Sequence, residues 1–237
     1  MKYITILFLA FTSICFSQKT NIAYYKVKYL FNDENLENSS PYSSYLSKAK
    51  DYEEAVELKL LFNKERASFE MSTNNRNSQN KLAFSLCGCD KTIYSNVTNK
   101  TIKYYNKGSA PMNILENRYL LVNTLFADWT LDNEQLKING FTAYKATRTK
   151  IDVKGKPILV TAWYAPEFPY PFGPLTYSGL PGLIIQVQEN NKMFTLSKIE
   201  FNKDITIEQE PTKGEVLSEE DFNKLQYQTY LNMSRKN

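Results

Sequence analysis

Between residues 163 and 186 the chain reads WYAPEFPYPFGPLTYSGLPGLIIQ, and neither a helix nor a central strand can run through it. The stretch holds five of the nine prolines (Pro166, Pro169, Pro171, Pro174 and Pro181) and three of the eight glycines (Gly173, Gly179 and Gly182). Each proline fixes φ near −65°, removes a backbone donor and pushes the residue before it out of the helical region. Residues 165–182 therefore read as a long loop that is ordered, because proline limits the unfolded chain more than the folded one. Apolar runs, ILVTAWYA before it and LIIQVQ after it, are strand-like. Gly179-Leu180-Pro181-Gly182 reads as a tight turn, with Gly182 placed for the positive φ of a type II turn.

The loop is also rich in aromatic and apolar side chains: Trp163, Tyr164, Phe168, Tyr170, Phe172, Tyr177 and Leu180 lie in or beside it. Two readings stand. The loop is a structural cover that plugs the end of a sheet, or it is a rigid aromatic rim around a binding groove. Ordered loops of this length are often functional. On the second reading Trp163, Tyr164, Glu167, Phe172, Tyr177 and Leu180 are the candidate binding residues.

Gly179-Leu180-Pro181-Gly182-Leu183-Ile184 spells the hexapeptide of the GLPGLI family of exported bacterial proteins. Upstream, Gly140, Phe141, Lys145, Ala146 and Thr147 resemble that family's "gy-x-x-x-KAT" strand. Ala162, Trp163, Tyr164, Pro166 and Glu167 resemble its "AWY-x-PE" segment, and Gly173-Pro174 follows. The resemblance is close over residues 125–190. It implies export and carries no biochemical activity with it. Many members have a cysteine in the KAT strand where this chain has Ala143, so no disulfide forms there.

Residues 1–17 read as a secretory signal: Lys2, then an apolar run over residues 4–16, then Cys15-Phe16-Ser17 as a small-x-small cleavage site before Gln18. The run is too short to span a bilayer. Acylation at Cys15 is the weaker alternative, since bulky Ile14 precedes it; retention of the segment as an anchor is another. The expected location is the periplasm or cell envelope, with secretion an alternative. The mature chain, 18–237, carries 28 basic and 25 acidic residues spread along its length, which leaves no nucleic-acid footprint.

The rest of the chain is mostly short alternating runs. Residues 21–31, 56–62, 68–71, 92–97, 101–106, 127–131, 135–138, 141–150, 158–165, 183–188 and 193–201 read as strands. Asn139-Gly140 is the strongest hairpin signal among them. A short helix or a loop is expected over residues 41–50, residues 113–125 are ambiguous, and residues 72–80 form a polar loop. Residues 218–233 are the best helix, with Ser218 and Asp221 as a capping box and Glu219 and Glu220 at the positive end of the dipole. Strands joined by short turns argue for antiparallel pairing. The expected architecture of residues 18–237 is one mainly β domain: a curved antiparallel sheet or open barrel with one or two packed helices, or alternatively a β-sandwich.

The chain has no histidine, which removes the usual general base, metal ligand and triad partner. Cys87-Gly88-Cys89 is read as a disulfide, with free or intermolecular thiols, and metal or redox chemistry, as alternatives. Asp128 beside Trp129, and Glu167, are the carboxylates to watch for general acid chemistry, although turn and salt-bridge roles account for both. No cofactor, metal or catalytic residue is expected. Three function classes follow: a binding or accessory protein with an outer-membrane or envelope partner, a carrier of a lipid or other hydrophobic small molecule, and a carboxylate-dependent hydrolase.

Overall fold

The structure is a computed structural model that describes residues 19–30, 50, 53–72, 87–89, 91–106, 120–152, 155–210 and 212–234. The expectations for residues 1–17, most of 41–50 and 73–80 lie outside the described residues. Among the described residues twelve strands run in chain order: β1 (Thr20–Tyr29), β2 (Glu57–Phe62), β3 (Arg66–Met71), β4 (Ile93–Asn96), β5 (Thr101–Asn106), β6 (Leu120–Leu125), β7 (Thr130–Ile138), β8 (Phe141–Ile151), β9 (Pro157–Ala165), β10 (Leu183–Glu189), β11 (Lys192–Lys203) and β12 (Glu215–Ser218). The helix α1 (Glu219–Ser234) follows β12.

All twelve strands belong to one open sheet in the order β12-β6-β5-β4-β3-β2-β1-β11-β10-β9-β8-β7. The sheet is the expected curved antiparallel one with a packed helix, except that β12 lies parallel to β6. Two long meanders, β1 to β6 and β7 to β11, are joined through the β1–β11 pair. Hairpins account for most pairings, and local turn chemistry explains them. Asn139 (φ 49°) and Gly140 (φ 87°) supply the two left-handed residues that a two-residue hairpin needs between β7 and β8. Between β2 and β3, the Asn63 side-chain oxygen accepts from the amides of Glu65 and Arg66, each at 2.9 Å. Ser218 caps α1: its hydroxyl accepts from the Asp221 amide at 3.0 Å and donates to the Asp221 carboxylate at 2.7 Å.

One strand expectation is corrected. Residues 127–129 are not strand; they belong to the connection 126–129 between β6 and β7. The ambiguous stretch resolves over residues 120–125 as strand β6.

That connection decides the overall curvature. β6 and β7 stand near opposite ends of the sheet, yet only residues 126–129 separate them. Five Cα–Cα steps span at most about 17 Å. The sheet must therefore curl until its two ends almost meet, leaving a seam without strand pairing. Its concave face holds the core, where Tyr25, Phe62, Phe69, Phe194, Leu58 and Ile93 are each essentially inaccessible to solvent.

Candidate functional site

The loop between β9 and β10 folds back into the concave face. Several of its amides, and the first two of β10, are used to close it on itself. Phe168 donates to the Ala165 carbonyl (3.1 Å), Gly179 to Pro171 (2.9 Å), Leu183 to Phe168 (2.9 Å) and Ile184 to Phe172 (2.9 Å). The Tyr25 hydroxyl reaches across the core to the Ile184 carbonyl at 2.7 Å. Aromatic contacts complete the anchoring: Phe62 meets Tyr170 at 4.9 Å and Phe172 at 6.4 Å between ring centroids, and Phe168 meets Phe141 at 5.4 Å.

Two glycines of the loop, Gly173 and Gly182, are needed for room. A Cβ on Gly173 would stand 2.7 Å from the Ile184 side chain, and one on Gly182 would stand 2.4 Å from the Ala165 carbonyl oxygen. The expected positive φ at Gly182 is not found; Gly179 (φ 102°) and Leu175 (φ 53°) take left-handed conformations instead. Close packing of the loop on β9 is what excludes a side chain at 182.

The six candidate binding residues divide between inside and outside. Phe172, Tyr177 and Leu180 are fully buried, and Tyr164 is nearly so. They hold the loop in place and offer no direct contact surface. Trp163 alternates with Tyr164 along β9 and lies half-buried on the outer sheet face, across from Lys145 of β8. Glu167 is exposed. Cys87 and Cys89 are joined in a disulfide and are both buried.

A second feature did not stand out in the sequence. In β8, Tyr144, Ala146, Arg148 and Lys150 pair with Tyr164, Ala162, Val160 and Ile158 of β9, so they share the concave face. Val160 in turn pairs with Glu189, and Glu189 with Lys192. One inward row thus carries Arg148, Glu189 and Lys192, with Lys150 beside it. These charged positions break the apolar pattern of the inward face, which was the available signal, but charges on alternating strands usually face solvent.

Glu189 is the hub of this group. Lys150 Nζ lies 3.3 Å from its Oε1, and the Tyr177 hydroxyl donates to its Oε2. Burial favours the neutral acid, but Lys150, the Tyr177 hydrogen bond and Lys192 prevail and hold the carboxyl below its usual range. Burial, together with the Glu189 charge, pushes the Tyr177 hydroxyl well up. Burial pushes the Lys192 ammonium down.

The group opens at the seam. A cleft of about 380 Å³ is lined by Thr124, Asp128, Arg148, Lys150, Thr176 and Glu219, among others. A second, of about 440 Å³, shares Arg148, Lys150 and Glu219 and extends along α1 to Tyr227. The Glu219 carboxylate accepts from the Thr124 hydroxyl at 3.1 Å. Trp129 forms the nearby support. Its indole N–H donates to the Ser178 carbonyl at 3.0 Å, and the Arg148 guanidinium stands 5.6 Å from its ring. Asp128 therefore lines a polar cleft, and Glu167 is not among its lining residues. Among the described residues no group of three or more acidic or cysteine side chains is placed to hold a metal ion.

A family model described as "Protein of unknown function (Porph_ging)" matches residues 149–186, from the end of β8 through the loop into β10. No curated protein matches the chain. Two solved structures are similar in fold. "Structure of PNGF-II in P21 space group" has a TM-score of 0.54 at 10% identity, over 89% of this chain and 34% of that one. "Structure of PNGF-II in C2 space group" has a TM-score of 0.52 at 9% identity, over 89% and 33%. This chain spans about a third of the length of those proteins. At such identity the likeness is one of fold.

Proposed function

We propose that this is an exported, GLPGLI-type binding or accessory protein of the cell envelope, and that the outer side of loop 166–182 meets an outer-membrane or envelope partner. The observation that carries this reading is the division of the loop. Phe172, Tyr177 and Leu180 anchor it from inside, while Pro166, Glu167, Pro169 and Pro181 stay exposed, with Trp163 half-exposed beside them. A surface fixed before binding loses little entropy on binding. The concave face is filled by the loop's own side chains and those of the sheet, so a carrier of hydrophobic ligands is the less favoured reading. Asp128 and Glu167 are not brought to one cleft, and a paired-carboxylate hydrolase is less favoured for that reason.

The test is native mass spectrometry of protein purified gently from the envelope of its source cells. The expected result is a chain beginning at Gln18 that carries one defined protein partner. A Trp163→Ala, Glu167→Lys double variant, folded by circular dichroism, is expected to lose that partner. Retention of the same partner by the folded variant overturns the location of the surface. A co-purifying lipid in its place would favour the carrier.

A further inference from the structure

We propose that the seam cleft is a binding site for a small polar monocarboxylate, received by the Arg148 guanidinium. This inference stands apart from the docking role of the loop's outer side.

Arg148 is the cation of the cleft that the protein leaves open. Glu189 is engaged by Lys150 and Tyr177, and Glu219 accepts from Thr124. Among the described residues Arg148 forms no ion pair, and its Nε is buried without a hydrogen-bond partner. Such groups are rare in folded proteins, because a buried N–H that has lost water and gained no acceptor is unfavourable. The side chain is nevertheless held in place. Its guanidinium lies against the Trp129 ring, and Trp129 is fixed by its hydrogen bond to Ser178 and its contact with Tyr177, 6.2 Å between centroids. An oriented, unpaired guanidinium presents a planar fork of donors that matches a carboxylate.

The rest of the lining selects among anions. Asp128 and Glu219 face the same cleft, so a dianion such as phosphate meets two like charges there. A monocarboxylate meets the least repulsion. The same two carboxylates, with Thr124 and Thr176, offer acceptors to hydroxyl or ammonium groups on the ligand. The chemical class is therefore a hydroxy- or amino-monocarboxylic acid, free or as the end of a short chain. The volume, about 380 Å³, suits a small ligand.

The chain has two tryptophans, one beside the cleft and one on the outer sheet face, which provides a probe and an internal reference. Nitrogen-15-labelled protein is titrated with lactate, alanine and N-acetylglycine, with their amides, and with inorganic phosphate. The Trp129 and Trp163 indole resonances are followed. At least one carboxylate is expected to shift the Trp129 resonance saturably and leave Trp163 unmoved, while its amide and phosphate do neither. Arg148→Gln is expected to weaken that carboxylate by about tenfold or more. Arg148→Lys keeps the charge and loses the fork; it is expected to weaken binding several-fold, and it carries the test if the glutamine variant does not fold. No response to any carboxylate, an equal response to the amide or to phosphate, or undiminished binding by folded variants would each overturn the proposal. The first of these results would mean that Arg148 pairs internally with Asp128 or Glu219 in solution.

Discussion

The indole N–H of Trp129 donates to the carbonyl of Ser178 across 3.0 Å, joining the four-residue connection that closes the sheet to the loop that fills it. The two segments lie 49 residues apart in sequence. This bond holds the wall of the seam cleft, because Tyr177 and Thr176 adjoin it on one side and Asp128 on the other. Trp129→Phe keeps an aromatic ring, though a smaller one, and removes the donor, leaving the Ser178 carbonyl without it. The expected cost is about 1–3 kcal/mol, read by urea denaturation. Proteolysis within residues 166–182 is expected to quicken in step. Unchanged stability would show that this bond does not hold the seam.

Glycines 182 and 140 are expected to respond to alanine for different reasons. At Gly182 the new Cβ would stand 2.4 Å from the Ala165 oxygen, so strand β9 or the loop must move. A loss of about 3 kcal/mol is expected, with reduced soluble yield. At Gly140 nothing lies within 4 Å, and only the positive φ resists. The expected loss there is about 1–2 kcal/mol. Thermal melts of the two variants side by side distinguish close approach from backbone conformation; equal losses would refute the distinction.

Glu189 makes stability depend on acid pH. Its carboxyl titrates lower in the folded protein than in the unfolded chain, held down by Lys150, Tyr177 and Lys192 against burial. A depressed folded pKa contributes stability that is present above the unfolded value, about 4.3, and is lost as pH falls through the folded one. Wild-type protein is therefore expected to lose stability as pH falls from about 5 towards 3. Glu189→Gln is expected to be less stable at pH 7, where Lys150 and Lys192 lose their counter-charge, and to show a shallower acid limb. Parallel pH profiles for the two proteins would contradict this account.

The Cys87–Cys89 disulfide closes a three-residue loop. Constraint of so short a loop is worth only about 1–2 kcal/mol in the chain-entropy account. Both cysteines are buried, so native protein is expected to resist thiol labelling until it is reduced under denaturing conditions. The double Cys→Ser variant is expected to remain folded, with a melting temperature a few degrees lower. Collapse of that variant would assign the disulfide a larger part in the fold than its loop length allows.

Local chemistry makes the strands, most hairpins and α1 readable from the sequence. Asn139-Gly140 dictates a two-residue turn, the alternation of β9 marks one inward and one outward face, and Ser218 with Asp221 marks a helix start. The same local reasoning misplaces residues 127–129, where Trp129 looks strand-like but serves a connection. It also assigns Gly182 a turn conformation when the constraint there is the Ala165 carbonyl, a neighbour only in space.

The candidate site divides along the same line. Proline spacing marks residues 166–182 as an ordered loop, because proline's effect on φ is intrinsic to the residue. Whether Phe172, Tyr177 and Leu180 face a partner or the core depends on which way the loop folds, and that is set by Phe62 and Tyr25 from distant strands and by Trp129 from the connection between β6 and β7. Arg148 and Glu189 are legible in the sequence only as charges on strands. Their convergence needs the register of β8 to β11, and their seam needs the sheet to curl until β6 and β7 can be joined by four residues. Sequence by itself determined φ restrictions, turn types and alternation, all of which act within a few residues. Tertiary structure alone decided burial, close approach and the pairing of charges, since these depend on residues tens of positions apart that meet only when the sheet closes on itself.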